Sequence, residues 1–230
     1  MPYYLVGKLL GVFHTPQDIL SPVSLMMGIT QAPMPTAVLM GRLITVMFGL
    51  GSVLLLFLAG KRLTGRPEVG LLAALMLTLS PIHVWHNHWV TPDTLVTFFA
   101  LATLVASISV WQRGTAWSYV LAGVCAGLTA ATKYNGGLVV LTVLVAHFLR
   151  RGKKFKDGRL YLALAGSILT FVATNPSMIL DHEWFLSGPI YELTHYASDH
   201  EGQEGNSLRW YLTYLVQTTG VIAPLALWET

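Results

Sequence analysis

Charge is what this sequence has least of. Asp, Glu, Lys and Arg make up 11% of its 230 residues, against about 25% in an average soluble domain. That is too little polar surface to coat a globule of this size. Lipid is the simplest solvent for the rest, since 53% of the chain is hydrophobic and the mean hydropathy is +0.58. Cysteine is nearly missing too. Cys125 stands alone in an apolar run, which excludes an internal disulfide and reads as a small packed residue. There is no internal repeat and no low-complexity tract, and no P-loop, GxGxxG or Ser/His/Asp signature occurs. ATP-driven transport therefore has no support in the chain. Met1 is followed at once by Pro2-Tyr3-Tyr4-Leu5, without the basic n-region of a signal peptide. With Ala226 to Thr230 stopping at the edge of an apolar helix, the sequence reads as truncated at both ends.

What the sequence does have is long apolar runs. A spanning helix needs roughly 20 apolar residues, with about 17 to 25 tolerated. Runs of that kind predict spans at 37–60, 67–84, 92–111, 115–132, 135–150, 159–176 and 209–228, with a shorter apolar helix at 2–13 and a Pro-broken loop at 14–35. The expected fold is an all-α, polytopic transmembrane bundle of about seven spans, forming one domain over 1–230 with a long loop at 177–208.

The pI near 9.0 suggests nucleic acid only until the basic residues are placed. They gather at span ends, which excludes that partner. Lys61, Arg62 and Arg66, then Arg113, then Arg150, Arg151, Lys153, Lys154, Lys156 and Arg159 fall on one side of a seven-span arrangement. Lysine and arginine are retained in the cytoplasm, so this side is expected to be cytoplasmic. Lys8, Arg42, Lys133 and Arg209 stay on the other face, where the acids and histidines are concentrated. Trp85, Trp89, Trp111, Trp117, Trp210 and Trp228 lie near span ends, as an aromatic belt does.

The outer face presents several constellations. His83, His86 and His88 precede Thr91-Pro92-Asp93, where Pro92 presets a helix start and Thr91 is a plausible N-cap. Asp93 is either a helix-start acid stabilised by the dipole or a functional carboxylate at membrane depth. His86 and His88 are either headgroup-level polar residues or metal ligands, although their spacing is not that of an i, i+4 pair. Lys133, before Tyr134-Asn135-Gly136-Gly137, either snorkels to the interface or pairs with an anion such as a lipid phosphate. Arg42 has the same two readings, headgroup contact or phosphate binding. The loop at 177–208 carries His195, Tyr196, Glu201 and Glu204, a mixture suited either to solvent or to sugar hydroxyls and a divalent cation. The EF-hand pattern is lacking.

Four stretches together resemble a known family. Pro2-Tyr3-Tyr4-Leu5 resembles the end of a P-P-L-x-Y segment. Gly41-Arg42-Leu43 to Lys61-Arg62-Leu63 resembles an R-L-x-S…L-x-x-R-L helix. Thr91 to Phe99 resembles an x-x-D-x-L-L-T-F-F helix start, and Ala122-Gly123 to Thr132-Lys133 a G-x-x-x-G-L-A-x-x-T-K helix. Glu192 to Asn206 is similar to a loop of many bacterial members. The family is that of the bacterial family 39 glycosyltransferases of the GT-C superfamily, related to dolichyl-phosphate-mannose protein mannosyltransferases and to lipid A aminoarabinose transferases.

The resemblance implies a multi-pass enzyme of the bacterial plasma membrane. It would transfer a sugar from a polyprenyl-phosphate donor to a protein, lipid or glycan acceptor at the outer face. Asp93 matches the family's second acidic position, and Lys133 and Arg42 match its donor-phosphate contacts. Tyr134, His86, His88, His195, Tyr196, Glu201 and Glu204 are expected around the substrate. In relatives an acid of the first external loop serves as base or binds at the reacting centre, and that loop would precede Pro2. Relatives differ in metal dependence, so a divalent metal is left open. Two other readings are a secondary transporter, expected to show paired broken helices and mid-span charges, and a non-catalytic remnant of such an enzyme.

Overall fold

The structure, a computed structural model, describes residues 34–151, 157–197 and 212. The expected helix at 2–13, the loop at 14–35 and the span at 209–228 lie outside those residues. No strand occurs among the described residues, and the helices follow in sequence: α1 (Met34–Thr64), α2 (Pro67–Thr78), α3 (Pro81–Asn87), α4 (Pro92–Gln112), α5 (Ala116–Thr132), a 3-10 turn (Tyr134–Val139), α6 (Val140–Arg151), α7 (Gly158–Thr174), α8 (Ser177–Leu180) and α9 (His182–Ala197). The apolar runs thus become helices close to where they are predicted.

Length and composition make two of these, Val38–Thr64 and Pro92–Gln112, able to cross a membrane. A third span exists if α2 and α3 are counted as one, while α5, α7 and the segment Tyr134–Arg150 are shorter apolar helices. The described residues therefore give two or three candidate spans, and the seven of the sequence reading are not shown. Large apolar side chains cover the outside, with Met47 73%, Leu138 71% and Leu169 68% exposed. Soluble monomers rarely expose contiguous apolar patches above a few hundred Å², so the chain has the surface of a membrane protein.

One expected span is broken. Residues 67–84 do not form a single helix; α2 and α3 meet at a bend of 63°. Pro81 is the cause, because it lacks an N–H and its ring opposes the carbonyl four residues back. It starts α3 instead, after Ser80 in an extended conformation. The sequence 177–208, read as an inter-span loop, is helical over its described part, as α8 and α9, with Pro189 inside α9.

Packing relies on small residues, as expected where helices associate without a hydrophobic drive from water. A Cβ on Gly123 would strike the Ala163 carbonyl of α7, and one on Gly127 the Ser167 carbonyl, so α5 and α7 meet backbone to backbone. Ala106, Val110, Tyr119, Ala122, Val143, Ala146 and Ala163 form the main core among α4, α5, α6 and α7. Buried hydroxyls join the same helices, with Ser107 3.1 Å from Thr142 and Tyr119 2.7 Å from His147 Nδ1. His147, an ionisable group on the apolar helix α6, is fully buried in this pairing.

The basic residues meet at one end of the bundle. Arg62 donates to Ser109 Oγ at 3.1 Å, and Arg150 to the carbonyls of Trp111 and Gln112 at 2.8 and 2.7 Å. Arg159 donates to the Gly114 carbonyl at 2.8 Å. Arg150 thus satisfies carbonyls that the end of α4 leaves orphaned, and Arg159 one in the turn that follows. Gly114 has φ +62°, a left-handed conformation suited to glycine. The other ends of the same helices carry Arg42, Asp93 and Lys133.

Candidate functional site

Asp93 sits in the first turn of α4, directly after Pro92. Thr91 occupies the N-cap position in an extended conformation, but its hydroxyl makes no capping hydrogen bond; the cap expected from the sequence is one of position only. Pro92 needs no partner for a missing N–H, and the carboxylate of Asp93 stands where the helix dipole favours a negative charge.

Lys133 arrives from the other direction. α5 ends at Thr132, and Lys133 turns extended, with φ −152° and ψ 126°. The following 3-10 turn is pressed onto α4: a Cβ on Gly136 would lie 2.8 Å from Val96 Cγ2 and 3.0 Å from the Thr129 carbonyl. Only a residue without a Cβ allows that approach. Val96 is one turn along α4 from Asp93, so the docking of Gly136 brings the lysine to the acid. Lys133 Nζ donates to Asp93 Oδ1 at 3.0 Å. The two side chains are 34% and 35% exposed, and both remain accessible to a ligand.

His86, from α3, completes a triad. Its Nδ1 lies 3.7 Å from Asp93 Oδ2. That is beyond hydrogen-bond length, and the nitrogen is buried without a hydrogen-bond partner among the described residues. The carboxylate thus faces a cation on one oxygen and an imidazole on the other. Tertiary packing brings three of the sequence-predicted residues together here, from three helices' ends.

The other candidates divide. Arg42 and His88 face a separate cleft of about 700 Å³, lined also by Val46, Pro81, Val84, Trp85, Asn87 and Trp89. His88 Nδ1 is 2.7 Å from its own helix's Val84 carbonyl. Tyr134 packs its ring at 6.1 Å against Phe185, which in turn meets Phe171 at 6.1 Å, so it links the lysine turn to α9 and α7. Gly188 of α9 lies close under the Tyr134 hydroxyl. His195 and Tyr196 belong to the backbone of α9; their side chains, and Glu201 and Glu204, lie outside the described residues.

Among the described residues no three His, Cys, Asp or Glu side chains group to hold a metal ion. Asp93 offers one carboxylate and one neighbouring imidazole, and the ammonium 3.0 Å away occupies the position a cation would take. The described donor set does not fit a divalent metal.

The pair Gly136-Gly137 beside Lys133 is readable in the sequence as a place of close backbone approach, whereas Asn87 was missed. The Asn87 carbonyl accepts from Thr45 Oγ at 3.3 Å, and its amide oxygen presses on Gly49. The recurrence of Gly41, Thr45 and Gly49 at four-residue steps in α1 was the available signal for a close helix contact.

The dolichyl-phosphate-mannose-protein mannosyltransferase family profile matches residues 25–177. This stretch includes Arg42, His86, His88, Asp93, Lys133 and Tyr134 and stops before His195. An uncharacterized protein of Aquifex aeolicus (strain VF5) is similar, 26% identical over 147 residues, which cover 63% of this chain and 28% of that protein. The chain therefore spans less than a third of that relative's length in the match. No solved structure matches. With more than half of its residues under the profile, the chain belongs to the dolichyl-phosphate-mannose-protein mannosyltransferase family.

Proposed function

We propose that this chain is part of a GT-C-type membrane glycosyltransferase. It would take a sugar from a polyprenyl-phosphate donor and pass it to an acceptor hydroxyl at the extracytoplasmic face of a bacterial plasma membrane. The observation that carries the reading is the Asp93–Lys133 contact of 3.0 Å at an accessible helix end, in a chain of this family.

In the proposed reaction the acceptor oxygen attacks the anomeric carbon and the bond from that carbon to the phosphate oxygen breaks. The bonding pair leaves with the polyprenyl phosphate, whose negative charge Lys133 stabilises. Asp93 accepts the acceptor proton as general base, a role that the family resemblance gives to an acid of the first external loop and that Asp93 takes over in this reading. Before the donor arrives, Asp93 is the counter-ion of Lys133. A donor phosphate competes for that ammonium, and the carboxylate oxygen it releases becomes available to the acceptor. His86 stays beside the second oxygen. The gathering of arginines at the opposite bundle end supports an extracytoplasmic position for Asp93, because basic ends are held inside.

The test uses the full chain in liposomes with a polyprenyl-phosphate sugar, following release of polyprenyl phosphate. Asp93→Asn is expected to lower the rate about 10²-fold or more, and Lys133→Gln to weaken donor retention. An undiminished rate in Asp93→Asn removes it from the mechanism. A secondary transporter is the second reading, favoured by the 63° break between α2 and α3. Its expected mate is another broken pair in the opposite repeat, and the described residues contain a single such pair. Solute uptake into the same vesicles without sugar transfer would select the transporter.

A further inference from the structure

Two sites, not one, are built around α3. Pro81, Val84, Trp85 and His88 recur at three- and four-residue steps and share one face of the helix, and all four line the 700 Å³ cleft with Arg42 and Val46 of α1. His86 projects about 140° away from Pro81 on the helical wheel and meets Asp93. None of Asp93, Lys133 and His86 lines the cleft. α3 is therefore a wall, with the reactive triad on one side and the arginine cleft on the other.

The chemistry of the cleft is that of an anionic amphiphile. Among the described residues its cation, Arg42, has neither a carboxylate nor a hydrogen-bonding partner for its guanidinium, and none of those lining the cleft is an acid. Its walls are mixed, with Val46, Pro81 and Val84 beside Asn87 and His88, and Trp85 and Trp89, 59% and 51% exposed, also line it, as indoles do at headgroup level. Arginine reads phosphate through a planar fork. A sugar-phosphate donor has to reach Asp93 and Lys133, so a ligand on the turned-away face of α3 is one that is bound and not consumed.

We propose that this cleft holds the phosphate of an anionic bilayer phospholipid, separately from the donor site. Arg42 takes the phosphate, and the acyl chains run out over Val46 and Val84 into the surrounding lipid. That the cleft is separate from the donor site rests on the proposed reaction, whereas the binding of a lipid phosphate rests on the cleft alone.

Native mass spectrometry of the full chain, released from nanodiscs of equal phosphatidylglycerol and phosphatidylcholine, is the test, with polyprenyl phosphate added in a separate arm. Phosphatidylglycerol is expected to be retained over phosphatidylcholine. Arg42→Gln should cut that retention about five- to tenfold, in line with one arginine at an anionic surface or phosphate. Arg42→Lys should restore part of it, and Trp85→Ala should weaken it independently. Lys133→Gln should leave it unchanged. Equal retention of the two phospholipids, or phosphatidylglycerol retention indifferent to Arg42→Gln, overturns the proposal. So does loss of polyprenyl phosphate alone in Arg42→Gln, which assigns the cleft to the donor.

Discussion

The Asp93–Lys133 contact has a stability signature that needs no substrate. At 3.0 Å the bare attraction, in an effective dielectric of about 20, is about 5 to 6 kcal/mol. Most of it is not realised. With 34% and 35% of the side chains exposed, both groups give up water to pair and remain partly screened. Exposed pairs deliver about 0.2–1 kcal/mol, and stranding one partner of a buried pair costs about 3–5 kcal/mol. A pair one-third exposed falls between, at a coupling of about 1–2 kcal/mol. The assay is SDS-driven unfolding in mixed micelles of the wild type, Asp93→Asn, Lys133→Gln and the double variant. The double variant should be more stable than the sum of the single losses predicts, by that coupling. His86→Ala, whose ring sits 3.7 Å from the other oxygen, should couple to Asp93 more weakly than Lys133 does. Losses that add within about 0.3 kcal/mol mean that the contact does not form, and the geometry of the site is then wrong.

Other expectations test the frame around that pair. Gly123→Ala places a methyl against the Ala163 carbonyl, a backbone atom that cannot swing aside, and should destabilise the chain by about 1–3 kcal/mol in the same unfolding assay; wild-type stability would show that α5 and α7 are not so close. For sidedness, His88→Cys and Arg113→Cys in a Cys125→Ala background can be probed with a membrane-impermeant maleimide. The first should label in intact cells and the second only after permeabilisation, because His88 and Arg113 belong to opposite bundle ends. Labelling of both from one side would remove the assignment of Asp93 to the outer face.

Much of the architecture was legible. Spans starting at 92, 115 and 159 fall within a residue or so of helices beginning at Pro92, Ala116 and Gly158, because Pro, Thr and Asp mark helix starts locally. Basic residues at 61–66, 113 and 150–159 announced a common end through charge alone. The break at Ser80 was missed because residues 69–82 are mostly apolar, and hydropathy weighs transfer to lipid without registering the missing N–H of Pro81. Residues 177–197 were missed as helices since Pro176, Gly188 and Pro189 read as loop punctuation, although Pro189 is accommodated inside α9.

The site was legible as residues and not as an arrangement. Arg42, His86, His88, Asp93 and Lys133 were all candidates, and nothing in their order says which of them meet. Asp93 and Lys133 are 40 positions apart. What joins them is a glycine, Gly136, tight against Val96, and what separates Arg42 from them is the face of α3 on which His86 projects. Residue order alone shows that the chain enters lipid and where its basic residues gather, since both follow from the transfer energy of single residues. Tertiary structure decided which charges neutralise one another and which stay open to a ligand, because those outcomes depend on distances of a few ångströms set by helix packing.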